Sequence, residues 1–111
     1  MENGVTANPH ISKITGLDLS GTGFLTSFLY NAGTSVLPTG SVIAKQKSKD
    51  GTVESLRIYN RTPLSPGETT KLVQEVFGAF TITVLSYVGS DGSEYPLNQF
   101  ISRSLFGWSV R

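Results

Sequence analysis

Two stretches of alternating residues constrain this chain more than any other feature. The segments GFLTSFLYNAG (residues 23–33) and AFTITVLSYVG (residues 79–89) place every second side chain on the same face of an extended backbone. Both faces of the first segment carry large apolar groups, and β-branched residues dominate the second. This pattern is typical of strands inside a β-sandwich, where both faces of the strand are covered. The chain is therefore expected to be built from β-strands.

Turn residues recur about every ten positions and divide the rest of the chain. Asp50-Gly51 separates two strand-like stretches and predicts a hairpin, and Asp91-Gly92 predicts another turn. Further strands are predicted near 11–19, at 69–76 and in the closing segment 99–111. Residues 68–80 also show helical spacing, but Gly78 and two threonines favour a strand. We expect an all-β fold of seven or eight strands, an antiparallel immunoglobulin-like sandwich.

The length of 111 residues predicts a single domain. Residues 1–10 are polar and are predicted to be a flexible arm, followed by the sandwich over residues 11–111. Charged residues make up only 15% of the chain, against roughly 25% in average proteins. This composition favours an extracellular or cell-envelope protein. The polar, abrupt start of the sequence leads us to expect that the arm links the domain to a removed membrane anchor. Cysteine is absent, which excludes disulfides and thiolate metal sites.

The basic residues are scattered, apart from Lys45, Lys47 and Lys49 at alternate positions. Alternate residues of a strand share one face, and no aromatic residues lie between these lysines. The cluster therefore favours a solvated strand edge that resists pairing with other strands. It does not favour a nucleic-acid partner.

The residues that enzymes need are few. His10 is the only histidine, and it falls in the predicted arm, where a general base would lack fixed geometry. The acidic residues are spread along the chain without the spacing of a calcium loop. We predict no catalytic residue, no cofactor and no metal ion. A small enzyme is the opposing hypothesis, and it would need an ordered His10 beside an acid and a hydroxyl group.

The segment NRTPLSPGETTKL (residues 60–72) predicts a corner between two strands. Pro66-Gly67 is the signature of a type II turn, and Leu64 is expected to pack into the core. Asn60 begins an Asn-Arg-Thr sequon, so it is a candidate for N-glycosylation, although the proline that follows the sequon is unfavourable. The interpretation of the segment is otherwise structural.

The pattern LYNAGTS, then a hairpin, then LSPGETTKLV and GSEYPL resembles the β-sandwich domain of archaeal surface-appendage proteins. This group includes archaellins, archaeal type IV pilins and the archaellum stator proteins FlaF and FlaG. The matching residues are Asn31, Gly33 and Pro66 to Glu68, and the resemblance covers about residues 12–97. It implies a motility-related role outside the membrane, with the surface layer (S-layer), other appendage proteins or further copies of the chain as partners. The hydrophobic N-terminal helix of such proteins is missing from this sequence.

Two sets of apolar residues are candidates for a subunit interface. The first lies in the closing segment and comprises Phe106, Trp108 and Val110; the second comprises Ile82, Val84 and Tyr87. The favoured hypothesis is a non-enzymatic, stator-like domain that binds the surface layer or associates with itself through sheet edges. The alternative is an immunoglobulin-like adhesion or carbohydrate-binding module of a larger secreted protein. That module would use exposed aromatic residues, with five to examine: Tyr30, Tyr59, Tyr87, Tyr95 and Trp108.

Overall fold

The computed structural model describes residues 6–111, which form eight antiparallel β-strands and, within that range, no helix. Most strands show, over at least part of their length, the alternation of buried and exposed side chains that the sequence predicts. The strands are β1 (Pro9–Leu17), β2 (Gly23–Asn31), β3 (Gly40–Ser48), β4 (Val53–Asn60), β5 (Thr69–Val76), β6 (Ala79–Gly89), β7 (Glu94–Ser104) and β8 (Gly107–Val110).

The strands form two sheets, with the orders β1-β2-β5 and β4-β3-β6-β7-β8. Strands β2 and β3 follow each other along the chain but lie in different sheets, and each pairs with a later strand, β5 or β6. This Greek-key connection is the topology of an immunoglobulin-like sandwich. The predicted all-β sandwich of seven or eight strands is therefore confirmed.

The core lies between the two sheets and is made of the inward side of each alternating strand. Leu25 and Leu29 of β2 and Ile82 of β6 have no exposed surface. Their neighbours along each strand point outward or lie in partly exposed positions. Burial of these apolar side chains, worth roughly 1.5–3 kcal/mol each, is the main favourable contribution to folding.

The predicted hairpin around Asp50-Gly51 forms, and it joins β3 to β4. Lys45 and Lys47 point outward from β3, as their alternation predicts, while Lys49 lies in the turn. The interpretation of these lysines as a protected sheet edge is wrong, because β3 lies between β4 and β6. Lysines at alternate positions indicate only that one face of a strand is exposed to solvent. An interior strand of a sandwich also has such a face, so the pattern does not identify a sheet edge.

The segment of residues 61–68 is a structural corner, as predicted. Leu64 is buried and forms an isolated antiparallel bridge with Leu37. The predicted type II turn is consistent with the φ of +82° at Gly67 and with the 3.0 Å bond that the Glu68 amide donates to the Ser65 carbonyl. The carboxylate of Glu68 in turn accepts a hydrogen bond from the Ser65 amide at 2.8 Å. The corner therefore connects the two sheets.

The prediction of a flexible arm over residues 1–10 is wrong for residues 6–10. Strand β1 begins at Pro9, and Ala7 is 5% exposed. The amide of Asn8 donates to Oδ1 of Asn31, and the Thr34 amide donates to the Thr6 carbonyl. The segment makes these contacts through its backbone N–H and C=O groups. Its polar side-chain composition therefore gives no indication that the contacts form. Residues 1–5 lie outside the described part of the chain.

Candidate interaction surfaces

One end of the sandwich carries most of the exposed large apolar side chains. Four turns meet there: β1–β2, β3–β4, β5–β6 and β7–β8. Of the eleven large hydrophobic side chains that are exposed within residues 6–111, seven lie at this end, which we call the apolar end. They are Leu19, Phe24, Val53, Phe77, Phe80, Leu105 and Phe106. Exposed large apolar side chains gathered at one end of a domain make that end a candidate interaction surface.

The tip of the β7–β8 hairpin is the most exposed part of the apolar end. Leu105 and Phe106 form the turn and are 97% and 98% exposed. The hydroxyl of Ser104 accepts a hydrogen bond from the Phe106 amide at 3.2 Å and donates one to the Gly107 carbonyl at 3.1 Å. Gly107 has a φ of +108°, which its lack of a side chain permits. The turn thus holds two apolar side chains away from the protein.

The first predicted interface set, Phe106, Trp108 and Val110, does not form one exposed surface. A turn separates Phe106 from β8, whereas Trp108 and Val110 are half-buried and pack against the core. The indole Nε1 of Trp108 donates a 2.9 Å hydrogen bond to the Asp18 carbonyl, so it holds the β1–β2 turn against β8. A guanidinium nitrogen of Arg103 also donates to the Leu19 carbonyl. Trp108 is therefore a structural support of the apolar end.

The second predicted interface set lies in the core. Ile82, Val84 and Tyr87 are 0%, 2% and 0% exposed, because the inward side of β6 faces the three-stranded sheet. These residues cannot contact a partner while the domain is folded. Strict alternation places Tyr87 on the face opposite to Ile82 and Val84, but a register shift between Val84 and Ser86 in β6 brings all three side chains into the core.

Asn60 is buried, which contradicts the prediction that it is a glycosylation site. It is 3% exposed, and its Nδ2 donates a 3.1 Å hydrogen bond to the Tyr87 hydroxyl. That hydroxyl donates in turn to the Pro38 carbonyl at 2.6 Å. Burial raises the pKa of Tyr87 above its usual value, and the bond from Asn60 opposes this. A glycan on Nδ2 is incompatible with this arrangement.

An open cavity of about 440 Å³ lies at the opposite end of the five-stranded sheet. It is bordered by three residues that alternate along β4 and the residue after it: Arg57, Tyr59 and Arg61. The Arg57 Nη1 donates to the Ser41 hydroxyl at 2.9 Å, and the Arg61 guanidinium lies 5.5 Å from the centre of the Tyr59 ring. We call this the arginine cavity. Sequence reasoning missed it, although the pattern Arg-Ile-Tyr-Asn-Arg carries the alternation.

The five aromatic residues proposed for carbohydrate binding do not form one surface. Tyr87 is buried, and Tyr30, Tyr95 and Trp108 are half-buried. Tyr59 alone among the five is exposed, at 58%, and it borders the arginine cavity. Of the five aromatic residues to examine, Tyr59 is therefore the one whose ring is open to a ligand.

The outer face of the three-stranded sheet combines aromatic and basic residues. Lys13 and Lys71 flank Phe28 on the neighbouring strands, with ammonium groups 4.8 and 5.7 Å from the ring centre. His10 lies in β1 and contacts the Tyr30 ring edge-on, with 5.3 Å between the ring centroids. Within residues 6–111, no group of three His, Cys, Asp or Glu residues could hold a metal ion.

The four strands at the sheet edges differ in how openly they present their backbone. Strand β1 pairs with two register shifts, and β8 has only four residues. Strands β4 and β5 have eight residues each and pair without interruption. Bulges and short length protect an edge from further pairing. Strands β4 and β5 thus lack these two forms of protection.

Comparisons of this chain with protein-family models, curated proteins and solved structures found no match. Residues 6–111 contain no helix that could span a membrane.

Proposed function

We propose that this chain is a non-enzymatic interaction domain of an archaeal surface appendage, the part of a stator-like archaellum component that lies outside the cytoplasmic membrane. The resemblance at Asn31, Gly33 and the Pro66–Glu68 turn supports the family. The apolar end supports the interaction role. In this proposal the domain associates with a second copy of itself, and its place in the cell envelope also allows contact with the surface layer.

The single observation that carries the interaction role is the β7–β8 hairpin tip. Leu105 and Phe106 are almost fully exposed, and the turn geometry keeps them so. Burying one such side chain contributes roughly 1.5–3 kcal/mol. Side chains that become fully buried in a pocket of the partner carry most of the binding energy of an interface. The protruding Phe106 ring can be buried in this way.

The charges around the apolar end favour a second copy as the partner. Lys49 and Arg103 border the same cavity as Leu19 and Trp108, and Asp18 and Asp50 lie in the turns beside them. A twofold interface places each patch against its own copy, so it needs both signs of charge. The apolar end meets this requirement.

The geometry of the chain is compatible with a membrane anchor before residue 6. Residues 6–8 bind to the loop after β2, at the end of the sandwich opposite to the apolar end. An anchor that precedes them would therefore leave the apolar end facing away from the membrane. A gene that encodes about 20 consecutive apolar residues before Glu2 would support this part of the proposal, and flanking β-modules would contradict it.

The test is the molar mass of the domain in solution at several concentrations. We expect the wild type to form a dimer whose population rises with concentration, and Phe106→Lys to remain a folded monomer. The matched control is Val36→Lys, because Val36 is 53% exposed but lies in the loop at the other end. A wild type that is monomeric throughout would refute self-association, as would dimerisation that Val36→Lys and Phe106→Lys weaken equally.

A further inference from the structure

The arginine cavity has the features of a binding site that self-association does not use. We propose that it binds an anionic saccharide, with the acid group of the ligand between Arg57 and Arg61 and a sugar ring against Tyr59. This inference goes beyond the proposed function and does not depend on it, because the cavity and the apolar end lie at opposite ends of the five-stranded sheet.

The two arginines of the cavity have no ion-pair partner within residues 6–111. Neither Arg57 nor Arg61 forms an ion pair with a described carboxylate; their contacts are the Ser41 hydroxyl and the Tyr59 ring. Asp91, in the turn that follows β6, accepts its hydrogen bonds from the Ser93 side chain and amide instead. Guanidinium groups form strong, often bidentate hydrogen bonds with carboxylates, sulfates and phosphates. The cavity therefore selects for an anion.

The position of Arg57 is fixed before any ligand binds. Its Nη1 donates to Ser41, which is 3% exposed and belongs to the adjacent strand. This bond uses one of five N–H donors of the guanidinium and leaves the others available. A side chain that is already held loses less conformational entropy on binding. Arg57 is thus a preorganised anion ligand.

The remaining borders of the cavity favour a sugar over a bare acid group. Tyr59 presents an exposed aromatic surface on which the apolar side of a sugar ring can pack. The hydroxyls of Thr39 and Ser90 lie 2.9 Å apart on the cavity border, and each can donate or accept a hydrogen bond. A ligand with several hydroxyl groups matches these partners, whereas an acidic peptide side chain would leave them unused.

The size of the cavity agrees with a ligand of about two sugar rings. Its volume of about 440 Å³ is in the lower part of the range for small-molecule sites, roughly 300–1,000 Å³. The cavity is open to solvent, so a longer saccharide chain can extend beyond it. Its single sign of charge also makes it unsuitable for a twofold contact with a second copy.

The experiment measures binding of four defined probes to the purified domain by calorimetry, and locates them by amide NMR shifts. The probes are a galacturonate trimer, sulfated maltotriose, neutral maltotriose and hexaglutamate. We expect at least one acidic trisaccharide to bind at least tenfold more tightly than neutral maltotriose and hexaglutamate. The two acidic trisaccharides distinguish a carboxylate from a sulfate as the recognised group. Shifts are expected at β4 and the β6–β7 turn.

Variants connect this binding to the cavity. Arg57→Gln and Arg61→Gln should each weaken the acidic trisaccharide about tenfold, because each removes charge-assisted hydrogen bonds. Tyr59→Ala should weaken the trisaccharide more than it weakens hexaglutamate. Lys13→Gln is the matched control: it removes one positive charge beside an aromatic ring on the other sheet, and binding should not change.

Three outcomes overturn the proposal. If no acidic probe binds, the cavity is not an anion site. If hexaglutamate binds as tightly as the trisaccharides, the ligand is an acidic peptide. If Lys13→Gln weakens binding as much as Arg61→Gln does, the attraction is a general effect of positive charge, which high salt would abolish.

Discussion

The side-chain amide of Asn31 donates a 2.9 Å hydrogen bond to the backbone carbonyl of Leu64, 33 residues further along the chain. The same nitrogen donates to the Ser35 carbonyl, and Oδ1 accepts from the amides of Asn8 and Gly33. Asn31 is completely buried. One side chain therefore satisfies backbone groups of the N-terminal segment, the loop after β2 and the corner after β4.

Replacing Asn31 with alanine should destabilise the domain by about 3 kcal/mol, because several buried backbone groups lose their partners. Chemical denaturation measures the change in the free energy of unfolding. Gln74→Ala is the control, since the Gln74 side chain makes only a local bond to the Glu75 carbonyl; it should cost less than about 0.5 kcal/mol. Equal effects of the two substitutions would contradict the role given to Asn31.

Tyr87→Phe should cost about 2 kcal/mol, because it leaves the buried Asn60 amide and the Pro38 carbonyl without their shared partner. Tyr59→Phe is the control, because it removes a hydroxyl from an exposed ring. Denaturation curves at neutral pH compare the two variants with the wild type. A Tyr87→Phe variant as stable as the wild type would show that the Asn60–Tyr87–Pro38 chain of hydrogen bonds contributes nothing.

The raised pKa of Tyr87 also predicts a loss of stability in alkali. Burial favours the neutral phenol in the folded state, so the folded pKa lies above the unfolded value of about 10. The stabilisation that results from this pKa difference is complete below the unfolded pKa and is lost as the pH rises through the folded pKa. The free energy of unfolding should therefore fall above about pH 10 and fall less steeply in Tyr87→Phe. Parallel curves for the two proteins would refute the prediction.

The turn aspartates predict a loss of stability in acid. Hydrogen bonds from the Ser20 hydroxyl and the Thr22 amide lower the pKa of Asp18, and those from the Ser93 hydroxyl and amide lower that of Asp91. A carboxyl group whose pKa is lower in the folded state stabilises the fold at pH values above its unfolded pKa of about 4. This stabilisation is lost as the pH falls through the folded pKa. The melting temperature should thus fall below about pH 4.

Replacing the two hydroxyl donors tests this explanation. In a variant that combines Ser20→Ala with Ser93→Ala, the acid-induced fall in melting temperature should be smaller than in the wild type. A fall of the same size would assign the acid sensitivity to other groups. Both serines lie in exposed turns, so the variant is expected to fold.

Lysine substitutions distinguish the buried side chains of β6 from the exposed side chains of the apolar end. Val84→Lys would place a charge among buried apolar side chains, so it should cost more than about 4 kcal/mol and unfold the domain. Phe106→Lys should change the stability of the monomer by less than about 0.5 kcal/mol, because the side chain is 98% exposed. Circular dichroism and thermal melting at low concentration measure both. A folded Val84→Lys variant would contradict the placement of β6.

Much of the fold follows from local patterns in the chain. The prediction for residues 69–76 matches β5, and the alternating stretch 79–89 matches β6. The Asp50-Gly51 and Pro66-Gly67 turns lie where they were predicted, because their residues favour specific backbone angles whatever surrounds them. The sequence also predicted that Leu64 would be buried.

The features that the sequence did not reveal depend on contacts between distant segments. The burial of Asn60 results from the position of Tyr87, which is 27 residues away. Hydrogen bonds to Asn31 and its neighbours hold residues 6–10 in an ordered structure. The polar composition of these residues does not predict that order. The arginine cavity exists because β4 and the β6–β7 turn both flank β3. Such features require the pairing of the strands to be known.

The positions of the N-terminal segment and the apolar end have a mechanical consequence. They lie at opposite ends of the strands, in a domain that extends 48 Å along its longest axis. A pulling force between them runs along the strands and across the backbone hydrogen bonds. Strand β1 can then separate from β2 only if the bonds along the whole ladder break together. The fold is thus arranged to resist tension applied between the N-terminal segment and the apolar end.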